Sequence, residues 1–286
     1  MADNEIYRKI YSRIEELPTL PVITIKLLKA FEDKNYNAAN IAELISWDAS
    51  LTSKILKIAN SAYYGFQQQV SSLQYAIALL GLTMIKSLAL SLGVITSLPD
   101  SPGSRFFNPE KLWLHNIAAA TVMESIKTKV ERVPQESPLF VIGMLHDTGK
   151  IVLDQFFNEK FTAVLESLHT DTSKELHIKE KNIIGVDHCD VGAMLFQRWH
   201  FPETIVTPIQ LHHSEKRFDS PLGVEISILR IGNIIPQQVG LGSDGNAVPP
   251  DIDGGDLENT GLTEKNIEAL RQELMEKQEG INAFLN

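Results

Sequence analysis

The sequence predicts an all-α fold, on three observations. Apolar residues recur with the three- and four-residue spacing of helices along most of the 286 positions, caps and prolines punctuate that pattern, and no alternating stretch is long enough for a useful strand. The length lies near the point at which single cores divide, so two lobes are expected.

Taken in order, Ile6, Ile10 and Ile14 mark a first helix. Leu17-Pro18-Thr19-Leu20-Pro21 stops it, because each proline removes a donor and pushes the residue before it out of the helical region. Val22 to Phe31 resumes the pattern. Asp48 caps a helix whose buried stripe is Leu51, Ile55 and Ile58, ending near Asn60-Ser61. Ser71 with Gln74 reads as a capping box for Leu73, Ala76, Ile77 and Leu80, and Gly81 supplies a left-handed stop before Thr83 opens the next helix. Five short helices are expected over residues 4–97.

Residues 97–107 hold two prolines, a glycine and three serines, the composition of a boundary. Asn108-Pro109-Glu110 then opens a long helix carrying His115. Ser137-Pro138 opens another that runs into His146-Asp147-Thr148-Gly149-Lys150. Asp187 caps a helix that begins His188-Cys189-Asp190, with Gly185 before it, while Phe201-Pro202 and Pro221 open two more. The division that follows is a small N-terminal helical bundle, 1–97, packed on a second helical lobe, 108–239. An exposed, flexible loop is expected over 240–261 and a C-terminal helix over 262–286, capped by Thr263.

Charge and composition exclude several classes. The formal net charge is −10 and no basic patch interrupts it, so no nucleic-acid partner is expected. Glu175 to Lys181 alternates in sign and reads as a solvated helix face. A helix-turn-helix reading of Leu80-Gly81-Leu82-Thr83 fails because Lys86 is the one cation between Ser72 and Leu92. Asp251-Ile252-Asp253-Gly254-Gly255-Asp256 matches only the first half of a calcium loop. The acidic start, Met1 to Glu5, lacks a secretory signal, and the apolar window Met84–Leu98 is broken by polar residues short of the roughly 20 positions a span needs. No membrane association and a cytoplasmic location are expected. The single Cys189 excludes an internal disulfide and a cysteine-based zinc cluster, and reads as a buried packing residue.

Of the eight histidines, five fall where helices can gather them: His115, His146 beside Asp147, His188, and the pair His212-His213. His169, His177 and His200 sit among charged or turn-like neighbours and read as surface residues. Imidazoles with a hard carboxylate suit iron, manganese, zinc or nickel. Adjacent His and Asp on one regular helix point about 100° apart, so both face one ion only where the helix turns, and Gly149 is placed to permit a bend. A metal held there supplies the chemistry of a phosphohydrolase, with Lys150 on a phosphate oxygen.

Leu17-Pro18-Thr19-Leu20-Pro21, Asp48-Ala49-Ser50-Leu51, Asn60-Ser61-Ala62-Tyr63-Tyr64-Gly65 and Ala76-Ile77 with Leu80-Gly81 together resemble the signature of the HDOD family, the HD-related output domains of bacterial signalling proteins. The resemblance covers about residues 15–240. The second half is similar to the HD superfamily of metal-dependent phosphohydrolases, whose ligands run His, His-Asp, often further histidines, then Asp. His115 falls at the first place, His146 and Asp147 at the doublet, and Gly149-Lys150 completes the HDxGK form. His188, His212 and His213 fall where the binuclear branch has its extra histidines. Asn233 stands where the last aspartate belongs, and an amide brings neither charge nor a base. The resemblance implies a metal set of His115, His146, Asp147, His188, His212, His213 and Asn233, with Asp147 and Lys150 in any catalytic role.

Two functions of different class follow. One is a non-catalytic output module that answers a signalling protein or a nucleotide second messenger. The other is a metal-dependent phosphohydrolase acting on nucleotides or cyclic dinucleotides.

Overall fold

Caps and prolines cut the chain into helices at most of the expected places. The computed structural model describes residues 2–33, 36–104, 106–172, 175–216, 220–282 and 284. The fold is all-helical, and among the described residues the only β pairing is an isolated bridge between Ser104 and Phe107. The chain forms two compact units, one of Met1–Pro18 with Pro99–Leu274, the other of Thr19–Leu98 with Met275–Asn286. The helices are numbered α1 to α17 in chain order.

The smaller unit contains α2 (Val22–Glu32), α3 (Ala38–Ser46), α4 (Ala49–Ala59), α5 (Leu73–Leu80), α6 (Leu82–Ile95) and α17 (Gln278–Asn282). Asp48 caps α4 as expected, accepting from the Leu51 amide at 2.9 Å. The Asn60 side chain closes the loop after α4 by bonding both the amide and the carbonyl of Val70, each at 2.8 Å. Two expectations are corrected. The cap of α5 is Ser72, whose hydroxyl accepts from Tyr75 N, and not Ser71. With α3 the stretch before residue 97 holds six helices, not five; its opening is a reciprocal box between Asn37 and Asn40, in place of the usual Ser/Thr with Glu/Gln. Gly81 takes φ 84 and ψ 155, a glycine-only extended conformation that turns the chain sharply between α5 and α6. Lys86 on α6 donates to the Ala30 carbonyl and lies over the Phe31 ring. No single helix among the described residues is long and apolar enough to cross a membrane.

The larger unit holds α1 (Ala2–Glu16) and α7 to α16. α1 therefore does not group with the helices that follow it in sequence, as the 1–97 division has it. Arg198 donates to the carbonyls of Glu15 and Leu17, and Tyr7 donates to Asp190 at 3.1 Å. At the other end, the described residues after 261 form two helices, α16 (Glu264–Glu276) and α17, with Thr263 capping the first. Ile267, Leu270 and Leu274 on α16 are buried.

At the centre of this unit is α7 (Pro109–Lys127), capped by Asn108 and buried around nearly its whole circumference from Leu112 to Met123. It packs on α8 (Leu139–Leu145) and α14 (Gly223–Gln238). Every residue of α8 is buried. The chain breaks at Asp147, φ −96 and ψ 8, before α9 (Thr148–Phe156) begins. α9 crosses α12 (His188–Arg198), which also packs on α13 (Glu203–Leu211). Gly149 is not the bend itself. Its missing side chain lets α9 approach α12, since a Cβ there would overlap the His188 carbonyl and reach 2.9 Å from Gly192 N.

The expected exposed loop over 240–261 is ordered differently. Gly242, φ +80, lies against the His115 backbone, and Ser243 N donates to Lys111 O. Leu241 and Asp244 are buried, and α15 (Gly254–Thr260) occupies the second half, with Asp253 as its cap. Gly242 serves close approach to α7, which composition alone does not reveal.

The α9–α12 crossing gives a stability prediction. Gly149→Ala meets backbone atoms that cannot rotate away, and should cost about 1–3 kcal/mol in denaturant unfolding. Gly254→Ala, with nothing within 4 Å of the added methyl, should shift stability by less than about 0.5 kcal/mol.

Candidate metal centre

Seven side chains distant in sequence meet between α7, α9, α12, α13 and α14. His115 comes from α7, His146 and Asp147 from the break after α8, and Lys150 from α9. His188 is the first residue of α12, His212 follows α13, and Asn233 lies on α14. All are buried, and only Asn233, at 3%, has measurable exposure. His213 stands one step outward, partly exposed, its ring 4.2 Å from that of His212 and 5.2 Å from that of His188.

Three of the histidines are anchored alike. His146 Nδ1 lies 2.8 Å from the Gly143 carbonyl and His212 Nδ1 lies 2.7 Å from the Ile209 carbonyl. A carbonyl only accepts, so Nδ1 carries the proton and Nε2 keeps its lone pair. His188 Nδ1 is 2.6 Å from Glu180 Oε2, which also accepts the His188 backbone N–H at 2.9 Å. Nδ1 anchoring by a carbonyl or carboxylate is the usual support of a metal-ligating imidazole. Burial keeps the His188 and His212 rings neutral, their pKa values lying well below the ordinary 6.5.

Asp147 divides the cluster in two. On one side Lys150 donates to Oδ2 at 2.6 Å, with Asp244 Oδ2 3.8 Å from the same ammonium. Burial works against that ammonium, but Asp147, Asp244 and Glu180 outweigh it and hold the Lys150 pKa above its usual value. Burial likewise opposes ionisation of Asp147, yet His146, Lys150 and His188 bring its pKa below the normal carboxylate range. On this side Asn233 Oδ1 lies 2.7 Å from His115 Nε2 and 3.3 Å from His146 Nε2. His115 has no anchor, since its Nδ1 is buried without a partner, so Nε2 keeps the proton and donates to Asn233. Burial lowers its pKa to about 4. On this side the His146 Nε2 lone pair faces only acceptors, and His115, His146 and Asp147 each offer a donor atom within 4.8 Å of the others.

The other side is not self-satisfied either. His188 Nε2 lies 3.3 Å from Asp147 Oδ1, near enough for an ion pair, yet the two are not aligned for a hydrogen bond and each lacks a partner. Two lone pairs facing at that distance call for a cation. Donors bound to one ion at about 2.0–2.2 Å stand roughly 3.0–3.5 Å apart, which the spacing fits. His188, Cys189, His212 and His213 each offer a donor atom within 4.8 Å of the others. The Cys189 thiol, buried as expected, faces His212 at 3.6–3.8 Å, and burial raises its pKa so that it stays protonated. A set led by imidazole and carboxylate suits borderline first-row divalent ions.

The structure adds residues that the sequence hides. Glu180 lies in the stretch read as a solvated face, yet Lys179 and Glu180 are both buried. Asp244 lies in the stretch read as exposed loop. His177 is not a simple surface residue, for its ring stacks on His213 at 4.4 Å, whereas His169 and His200 are exposed as expected. A buried glutamate eight residues before a histidine has no sequence periodicity of its own, and only the packing of α11 (Leu176–Ile183) reveals it.

The fold and its site define a helical protein built around a buried histidine–aspartate cluster. Its family is given by sequence: the HDOD domain profile matches residues 17–215, and the chain belongs to the HDOD family. That match ends before Asn233 and Asp244. An uncharacterised protein of Treponema pallidum is 25% identical over 205 residues, 72% of this chain and 39% of the relative. The chain thus spans about two fifths of that protein. An HDOD domain protein of unknown function from Geobacter sulfurreducens superposes with a TM-score of 0.80 at 22% identity, over 98% of this chain and 96% of that one. A protein of Marinobacter aquaeolei, provisionally named for signal transduction, gives 0.84 at 20% identity, over 99% of this chain and 65% of its own. Identities this low establish the fold.

Lys150→Met leaves the Asp147 carboxylate buried and uncompensated, and should cost about 3–5 kcal/mol. Chemical denaturation checks this, and adding Asp147→Asn should recover much of the loss.

The metal-free protein should also lose stability on acidification. Burial lowers His115 and His177 to about 4, and His188, His212 and His213 lie well below 6.5. Each folded value is below the unfolded one, so their contribution is whole above pH 6.5 and is lost as pH falls toward 4 and beyond. Glu180, raised by burial to about 8, acts oppositely, its contribution fading as pH rises from 4.5 to 8. Glu124 and Asp190, also raised by burial, act with Glu180, while the lowered Asp147 sides with the five imidazoles, which dominate below pH 6.5; thermal melts across pH 4–8 measure the balance.

Proposed function

We propose that the chain is a bacterial signalling output module whose buried cluster holds one first-row divalent ion as part of the core and does not turn over phosphoesters. The observation that carries this reading is the sealing of the set. His115, His146, Asp147, Lys150, His188 and His212 are each 0% exposed, which leaves a phosphoester no surface on which to meet them. Two further features support it. Lys150, the side chain suited to a phosphate oxygen, is taken by Asp147 and Asp244. Asn233 supplies neither the charge nor the base of a final aspartate.

Asp147, His188 and His212 would hold the ion, one of iron, manganese, zinc or nickel. When bound, such an ion supplies Lewis acidity and an acidified water. The protein's own groups do the rest. Glu180 fixes the tautomer of His188, Lys150 keeps Asp147 ionised, and Asn233 holds His115. The signal is then read by the helical surface, in the cytoplasm, through a partner signalling protein or a nucleotide second messenger. The family's role in bacterial signalling and the name of the Marinobacter relative point the same way.

Elemental analysis of natively purified protein, followed by a phosphodiesterase screen with nucleotides and cyclic dinucleotides, tests the reading. Bound metal, lost in Asp147→Ala, without hydrolysis at enzyme-like rates is expected. Turnover that disappears in Asp147→Ala would establish the phosphohydrolase instead.

A further inference from the structure

Beyond the buried set, a second group of donors lies nearer the surface. Glu175 immediately precedes α11, His177 lies in its first turn, and His213 follows α13. The side chains of Glu175, His177 and His213 are 42%, 15% and 9% exposed, so this group is reachable where the inner one is not. Glu175 Oε2 stands 3.6 Å from His177 Nδ1 and 3.8 Å from His213 Nδ1. Both nitrogens are buried and neither has a hydrogen-bond partner. The two rings stack nearly parallel, 7° apart with centroids at 4.4 Å.

A stacked pair that served packing alone would turn its ring nitrogens to acceptors or to water, because leaving a buried nitrogen unpaired is costly. Here two such nitrogens converge on one carboxylate oxygen. One donor atom from each of the three residues falls within 4.8 Å of the others. A tetrahedral ion with bonds of about 2.0–2.1 Å sets its donors about 3.3–3.4 Å apart, so the two distances to Glu175 need contract by only a few tenths of an ångström, while one of the parallel rings must turn to bring both in-plane lone pairs onto the ion. The neighbouring cations do not oppose this strongly: Lys181 is paired with Asp187 at 2.8 Å and Arg230 with Asp256 at 2.7 Å.

We propose that Glu175, His177 and His213 form an outer divalent-ion site of zinc type, with a fourth position open to water or to a ligand from a partner. Two imidazoles and one carboxylate are a donor set that zinc takes in open sites. The proposal goes beyond the inner site and does not rest on it, since Asp147, His188 and His212 belong to neither its ligands nor its argument.

The test uses the full chain, stripped with chelator and titrated with zinc chloride by calorimetry, with elemental analysis after gel filtration. Wild type should bind an ion that His177→Ala loses or binds at least about tenfold more weakly, and Glu175→Gln should weaken the same step. Asp147→Ala should keep that step, whatever becomes of the inner ion. Retention of the wild-type number of zinc ions with unchanged affinities in His177→Ala overturns the proposal. So does a wild type whose every zinc step vanishes with Asp147→Ala in protein of unchanged circular dichroism. Should His177→Ala fail to fold, the half-exposed Glu175→Gln decides the matter, and an unchanged titration there counts against the site. Loss of the inner ion alone counts against the proposed function and leaves this site standing.

Discussion

A fully buried carboxylate, Asp147, sets the terms for the larger unit. Removing such a charge from water is costly, so it persists only where partners compensate for lost hydration. The chain supplies one in Lys150 on Oδ2, and it brings the His146 and His188 rings against the carboxylate without a hydrogen bond to it. Each depends on backbone placement. The break between α8 and α9 turns His146 and Asp147 toward the same space, and the absent side chain at Gly149 lets α12 bring His188 within reach. The fold positions the cluster, and the cluster in turn requires the fold to close tightly.

The two sides of Asp147 have different physical character. Around Oδ2 and Asn233 the protein supplies its own cation and its own acceptor. Around Oδ1, the anchored His188 ring and the carboxylate oxygen face each other with no protein donor between them. A single-ion reading follows from this asymmetry and not from the count of histidines.

Much of this was legible in the sequence. Helix caps at Asp48, Asn108, Asp187 and Thr263 stand where short-range chemistry places them, because a cap depends on residues three apart. The convergence of His115, His146, Asp147, His188, His212 and Asn233 was readable only with the HDOD and HD resemblance, as no local rule connects residues more than a hundred positions apart. What stayed hidden was long-range and polar. Glu180 looked solvated because alternating charge is the usual pattern of an exposed face, and its burial is imposed by α11 packing under His188. Asp244 looked like loop because glycines that permit close approach and glycines that permit disorder are the same residue in sequence.

The central claim is that a cation belongs between Asp147 Oδ1 and His188 Nε2. Crystals of natively purified protein, with anomalous diffraction recorded at the iron, manganese, nickel and zinc edges, test it most directly. A peak bonded to both atoms is the predicted result. Ordered side chains with no anomalous density in bonding reach of either atom, from protein prepared with those four metals present, would contradict the account.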